Sequence, residues 1–229
     1  RRAVKAFRPH VLNVHYLMPT GLAGLVAEQW LGVPTVVTLN GRDVPGPGVP
    51  ALWQWWQRTL LACVSDATFI SRYCRDAICG FGSQKGHIIH AGVEMPSGQE
   101  DGRQIRRQLD IPIGEPFIFS LQRLAREKRV EVLLRAFHHC YRQTGTGVLV
   151  LGGKGPEETA LRALVEELGI GKQVRLTGYI PRQTLGSFYS ACDLFAFHST
   201  FETFGLVLAQ AMAYGKPVVT VRNTALPEV

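Results

Sequence analysis

The chain has 229 residues, 46% of them hydrophobic, and a formal net charge of +7, so it can bury one large or two small cores and is too apolar for intrinsic disorder. Its longest apolar runs fall well short of the ~20 residues that cross a bilayer, and no charged segment followed by an apolar one opens it, which makes the cytosol the expected compartment. The positive charge favours an anionic partner, a nucleotide or an acidic lipid surface, over nucleic acid, because no RNP-type sheet signature, zinc-finger spacing or basic recognition helix occurs.

In chain order, RPHVLNVHY (8–16) reads as a buried strand, LAGLVAEQWLG (22–32) as an amphipathic helix closed by glycine, and VPTVVTLNGRD (33–43) as a strand running into a loop. WQWWQRTLLACV (53–64) places Trp53, Trp56, Leu60 and Cys63 at helical spacing. Core packing is the first reading of that stripe, and a membrane-facing lip the sharper one. DATFIS (66–71), YCRDAICGFG (73–82) and HIIHAGVE (87–94) continue as strand, helix, strand, an alternation that implies a parallel sheet.

The polar stretch MPSGQEDGRQ (95–104) marks a domain boundary, giving domains 1–95 and 96–229. The alternation then restarts. FIFSL (117–121), VLVLG (148–152), VRLTGYI (174–180), LFAF (194–197) and VVTV (218–221) are the predicted strands. VEVLLRAFHHCY (130–141), Glu157–Leu168, the segment near Thr184–Cys192 and Phe204–Tyr214 are the predicted helices. Two Rossmann-like α/β halves result. Arg103, Arg106 and Arg107 read as a solvated helix face. Five scattered cysteines without a C-x-x-C pair read as reduced, partly buried thiols.

The most informative stretch is Asp193–Pro217, DLFAFHSTFETFGLVLAQAMAYGKP. A buried strand meets a small-residue turn carrying Glu202, and then a helix in which Leu206, Ala209, Gln210 and Ala213 recur at helical spacing. Free N–H groups near Phe204, Gly205 and Leu206 suit a phosphate. Taken alone, the same stretch also fits an ordinary α/β crossover with a polar loop. LGGKGP (151–156) matches neither the P-loop nor the dinucleotide fingerprint, and no D-x-D occurs.

Glu202, Phe204, Gly205, Ala211, Met212, Ala213, Gly215, Pro217 and Val218 resemble the donor-site signature of the family 4 retaining glycosyltransferases. HYLMPTGLAG (15–24), LQRLAREK (121–128), LGGKGP and ALPEV (225–229) extend the likeness over nearly the whole chain. The resemblance implies the GT-B fold, two Rossmann-like domains with mostly parallel sheets facing across a cleft. Residues 1–95 would be part of the acceptor-side domain and 96–229 the donor-binding one, within a longer protein. It further implies transfer from a UDP- or GDP-sugar to a polysaccharide, glycolipid or lipid-linked acceptor, with retention, without metal or other cofactor, in the cytoplasm and attached peripherally to the inner membrane face. Glu202, Arg123 and Lys128 would be catalytic, the last two matching an Arg-x-x-x-x-Lys pair that neutralises the diphosphate. Gly153, Tyr179, Ile180, Phe204, Gly205, Leu206 and Gln210 would bind the donor, and His15 and Asn40 would face the acceptor. Strand-end packing for Tyr179 and a structural role for His15 remain the alternatives.

The chain departs from the family pattern at three places. Gln210 replaces the second Glu, Asn40 replaces a His, and Thr224-Ala225 stands where Gly-Gly is usual. A catalytically degenerate nucleotide-sugar binding protein is therefore the competing expectation. A dehydrogenase lacks the glycine fingerprint and its distal acid.

Overall fold

A computed structural model describes residues 6–41, 43–45, 49–80, 82 and 84–229. The predicted segments 33–43 and 73–82 extend onto Arg42 and Phe81, and the predicted first domain onto residues 1–5, all outside the described residues. The chain divides into two compact units. The first holds Arg1–Ala91 with Glu202–Phe204 and Glu228; the second holds Gly92–Phe201, Gly205–Pro227 and Val229.

In the first unit, β1 (Leu12–His15), β2 (Thr35–Leu39), β3 (Asp66–Phe69) and β4 (His87–Ile88) form a parallel sheet in the order β1-β2-β3-β4. Helices α1 (Leu22–Leu31), α2 (Ala51–Cys63) and α3 (Arg72–Cys79) connect the strands. Glu28 of α1 pins two strand entrances, accepting the N–H of Thr35 at 3.1 Å and the N–H and hydroxyl of Ser65 at 3.1 and 2.7 Å. Gly24 lets α1 lie close on β2, since a Cβ there would sit 2.6 Å from the Thr35 methyl. Ser71 caps α3 by accepting the Cys74 N–H at 3.1 Å.

In the second unit, β5 (Phe117–Leu121), β6 (Val148–Gly152), β7 (Val174–Gly178), β8 (Leu194–Phe197) and β9 (Val218–Thr220) are parallel in the order β7-β6-β5-β8-β9. The period of two splits its core between the faces of the sheet. Phe117, Phe119, Val148 and Val150 pack with Ile105 of α4 (Gly102–Gln108), Phe188 and Tyr189 of α7 (Arg182–Ala191), and Leu208 and Ala211 of α8 (Leu206–Ala213). Leu149 and Leu151 turn the other way, onto Leu134 and Phe137 of α5 (Val130–Thr144) and Leu161 and Val165 of α6 (Glu158–Glu167). Helices thus cover both faces, and β6 is buried along its whole length, as the unbroken VLVLG run requires.

Several sequence expectations change. β1 is an edge strand of four residues, alternately half-buried and exposed, not a buried strand over 8–16. β4 covers only His87–Ile88 of the expected 87–94, because only two residues find register partners on β3. Arg106 is not on a solvated face. It donates to the Ala191, Pro112 and Glu115 carbonyls at 3.1, 3.3 and 3.0 Å and pairs with Asp193 at 2.7 Å. On α8 the buried positions are Leu208 and Ala211, whereas Leu206 is exposed. LVLAQAMA is apolar all round, so its pattern could not say which side packs. Trp53 and Trp56 of α2 are exposed, and the helix packs instead through Gln57, Leu60 and Leu61. Of the thiols, Cys74 and Cys192 are buried, Cys79 is intermediate, and Cys63 and Cys140 are exposed. Among the described residues, no helix is long and apolar enough to cross a membrane.

Candidate functional site

The strand order of the second unit reverses at β5, whose neighbours are β6 on one side and β8 on the other. Connections from adjacent strands leave in opposite directions at such a point, opening a crevice at the C-terminal ends of the strands where α/β proteins bind ligands. The loops after β5 and β8 both emerge there. They are tied together: the Glu127 carbonyl accepts the N–H and the hydroxyl of Thr200, each at 2.9 Å.

Lys128 ends a short 3-10 turn, Arg126–Lys128, in the loop after β5. Its Nζ lies 3.4 Å from Ser199 Oγ and 5.8 Å from the centroid of Phe197, the last residue of β8. Ser199 is fully buried and its hydroxyl also donates to the Phe201 carbonyl at 3.0 Å. Asn223 braces the same turn by donating to the Ser199 carbonyl at 2.9 Å. His198 precedes it, with Nδ1 buried and unpartnered among the described residues. Burial, followed by the nearby Arg129, pushes its pKa below the usual histidine value. Ser199, Asn223 and His198 were not foreseen. The short polar HST step after an apolar strand was the only available signal.

Arg123 lies two residues beyond β5, five before Lys128. The loop after β6 packs against this turn through its glycines. Gly153 has φ 122°, and a Cβ on it would sit 1.9 Å from the Gln122 carbonyl oxygen. A Cβ on Gly155 would sit 2.0 Å from the Leu124 carbonyl oxygen. The glycines of LGGKGP are therefore explained by backbone contact between the two loops: Leu124 donates to the Lys154 carbonyl at 3.1 Å and Glu157 to the Leu124 carbonyl at 3.0 Å. Gly153 also donates to the Gly178 carbonyl at 2.7 Å, which fixes the end of β7. Beyond that end the two neighbouring residues diverge. Tyr179 is 70% exposed, whereas Ile180 is 7% exposed and packs into the core over Gly152.

Helix α8 begins after Gly205, which has φ 94° and occupies a spot where a Cβ would lie 2.8 Å from Leu226. No side chain caps this helix, which starts at exposed Leu206, and of its first N–H groups that of Leu208 donates to the Gly205 carbonyl at 2.9 Å. Gln210 lies one turn further along. Its Oε1 accepts a hydrogen bond from the buried Tyr189 hydroxyl at 3.1 Å. Burial drives the Tyr189 pKa upward, so the phenol remains a donor. One of the two lone pairs on the only acceptor atom that Gln210 owns is thus engaged within the unit.

Glu202 and Phe204 lie between β8 and α8, in the three residues that group with the first unit. Phe204 is buried and Glu202 half-buried. In the first unit, His15 at the end of β1 and Asn40 just after β2 meet, with Asn40 Nδ2 and His15 Nδ1 3.2 Å apart. They border a cavity of about 330 Å³. Thr68 donates to the Thr38 hydroxyl at 3.0 Å, and Thr38 in turn to Asn13 Oδ1 at 2.8 Å, forming a polar row across its sheet. Below it, Asp43 accepts the Leu17 N–H at 2.8 Å. Burial raises its pKa, opposed by that bond.

Two parallel α/β units, the second doubly wound with a basic loop at its switch point, make this a chain of the GT-B type. It belongs to the glycosyl transferases group 1 family, whose pattern it matches over residues 101–229. Residues 1–95 match Glycosyltransferase Family 4. A D-inositol 3-phosphate glycosyltransferase of Xylanimonas cellulosilytica is 29% identical over 91% of this chain and 54% of its own length. An alpha-monoglucosyldiacylglycerol synthase of Streptococcus pneumoniae is 29% identical over 97% of this chain and 54% of its own. The chain therefore spans about half the length of these curated relatives. Among solved structures, Anabaena Alr3699/HepE in complex with UDP superposes with a TM-score of 0.81 at 23% identity, covering 99% of this chain and 64% of that one. Sucrose-phosphate synthase from Thermosynechococcus elongatus gives 0.76 at 22% identity, covering 96% and 57%.

Proposed function

We propose that the protein of which this chain is part transfers a sugar from a nucleoside diphosphate sugar to a glycan, glycolipid or lipid-linked acceptor, retaining the anomeric configuration and using no metal. The observation that carries this reading is the coupling of the Lys128 turn to the β8–α8 loop at the switch point, which sets a fixed cation where the strand order reverses. The alternative, a binding protein without transferase activity, draws on Gln210, Asn40 and Thr224-Ala225.

In the proposed reaction the glycosidic bond to the β-phosphate breaks and negative charge collects on the leaving diphosphate. Arg123, through its two-pronged guanidinium, and Lys128, as a point charge, neutralise it, together with the open N-terminus of α8. Lys128 is already held beside Ser199 and Phe197, so it needs little reorganisation as charge develops. Glu202 holds donor-sugar hydroxyls and orients the anomeric carbon. The acceptor oxygen then attacks from the side the diphosphate leaves, and its proton passes to that phosphate. Tyr179 and the backbone at Ile180 face the base, Gly153 shapes the donor pocket, and His15 and Asn40 receive the acceptor. The curated relative named for diacylglycerol and the neighbour bound to UDP support this choice of substrates.

Release of nucleoside diphosphate from UDP-, GDP- and ADP-sugars by the whole protein tests it, with and without a membrane acceptor fraction and with and without EDTA. Release that survives EDTA supports the reading. Binding of a nucleotide sugar without release supports the alternative, and loss of release with EDTA removes the metal-free route.

A further inference from the structure

An ordinary surface helix has one apolar stripe, which it buries. Helix α2 has two. Gln57, Leu60, Leu61 and Val64, at spacing i, i+3, i+4, i+7, are buried. Leu52, Trp55, Trp56 and Thr59 repeat that spacing on the opposite side, where Leu52 is 71% exposed, Trp55 60% and Trp56 43%. Trp53 lies over the core stripe but in the first turn, and is still 42% exposed. The helix is well anchored despite this face: Gln57 donates to the Asp43 carbonyl at 2.6 Å and Arg58 to the Ile78 carbonyl at 2.9 Å.

We infer that the outward face of α2 is a membrane-docking surface that seats the Trp side chains in the interfacial layer of an anionic bilayer. Trp is favoured at that depth, because its large apolar ring carries one N–H that can stay in the wet headgroup region. The charge supports the same partner. Residues 1–91 contain nine Lys and Arg against four Asp and Glu, and with Glu202 and Glu228 counted the first unit still carries a net charge of +3; α2 itself has Arg58 and no acid. Each cation near an anionic surface adds to the attraction, and one hydrophobic signal joined to a basic one is what reversible attachment requires. The placement is also apt. α2 starts after the loop that leaves the C-terminal end of β2, so its Trp-rich first turns lie at the same strand edge as His15 and Asn40. The lipid-acceptor part of this inference rests on the function proposed above, whereas the docking itself does not.

The protein carrying Trp30→Phe leaves Trp53, Trp55 and Trp56 as its only Trp reporters within residues 1–229. It is titrated with vesicles of phosphatidylcholine, plain or doped with phosphatidylglycerol, without nucleotide sugar. The inference expects a blue-shifted emission quenched by brominated acyl chains, with tighter binding to the anionic vesicles. Trp55→Ala/Trp56→Ala should weaken vesicle binding about tenfold or more with circular dichroism unchanged. If that double variant misfolds, Trp55→Gln/Trp56→Gln and the salt dependence of the parent decide in its place. No quenching, unchanged affinity in the variants, or a blue shift that follows protein concentration without lipid, which indicates a second copy on this face, each overturns it. Transfer to a water-soluble acceptor without vesicle binding would sink the docking surface and leave the proposed activity standing. Vesicle binding without nucleotide release would do the reverse.

Discussion

Gln210→Glu changes one atom of a half-buried side chain from an amide nitrogen to a carboxylate oxygen. Today Gln210 Oε1 is engaged by Tyr189 at 3.1 Å, and the other end of the amide can only donate. A ribose hydroxyl approaching that end can accept from it, but finds no acceptor there for its own proton. In the variant, one oxygen keeps the Tyr189 bond and the other is left to accept from the ribose. A hydrogen bond to a charged group contributes about 1.5–3 kcal/mol against about 0.5–1.5 for a neutral one, so nucleotide binding should tighten by roughly 1–2 kcal/mol, or about 5- to 30-fold. Stability should change less, because the stronger Tyr189 bond is offset by desolvation of the new carboxylate. Calorimetric titration of UDP and GDP into both proteins reads the gain directly. Adding Tyr189→Phe frees the second oxygen and should increase it further. Since only the ionised carboxylate accepts at both oxygens, the gain should vanish as the pH falls through the carboxylate range. Equal affinities in a folded variant would mean that α8 does not present residue 210 to the nucleotide.

Lys128→Met removes the cation of the switch-point loop while keeping its aliphatic stem over Phe197. Nucleoside diphosphate affinity should fall about tenfold or more, with the melting temperature little changed; titration calorimetry beside a thermal scan separates the two. Gly153→Ala puts a methyl 1.9 Å from the Gln122 carbonyl at a φ of 122°, so urea denaturation should show a loss of about 3 kcal/mol or more, or no folded protein. Glu100 accepts the Ser97 N–H at 2.8 Å, the Tyr214 hydroxyl at 2.9 Å and the Ser97 hydroxyl at 3.0 Å. Led by the Ser97 N–H, these bonds hold its pKa down at about 2, from an ordinary 4.5. A depressed folded-state pKa gives stability that is present above 4.5 and lost as the pH falls toward 2. Glu100→Gln should therefore flatten the acid limb of the melting-temperature profile over that window, and an unchanged limb would exclude Glu100 as its source.

The second unit was nearly legible from its sequence because its strands are continuous apolar runs and its longer helices carry a single stripe. VLVLG can only be a central strand, and Val130, Leu134 and Phe137 mark one side of α5 without ambiguity. Legibility failed where the pattern was uniform or doubled. α8 is apolar on every side, so spacing could not choose Leu208 and Ala211 over Leu206. α2 has two stripes of identical spacing, and the sequence favoured Trp53, Trp56, Leu60 and Cys63 for the core, of which only Leu60 is buried, beside Gln57 and Leu61. A glutamine occupying a core position hid the true stripe, and the reason it can sit there, its bond to the Asp43 carbonyl, is a tertiary contact 14 residues away.

At the candidate site the motif residues were legible and their supports were not. Arg123, Lys128, Gly153 and Gly205 stand out by type and spacing, because charge and glycine act through chemistry that any neighbour leaves intact. Ser199 and Asn223 act only through partners: one hydroxyl beside Lys128 and one amide on the Ser199 carbonyl. Their value depends on β5 and β8 being adjacent, although the 72 residues 122–193 lie between those strands in the chain, with three α-helices and two strands among them. The same dependence alters the meaning of Gln210. By sequence it is a defective copy of a carboxylate; in the fold it is one half of a buried pair with Tyr189. A substitution that restores the acid therefore acts on that pair as well as on the nucleotide. Only the double change with Tyr189→Phe separates the two effects, since it is the excess of the double variant over the sum of the single ones that measures their coupling.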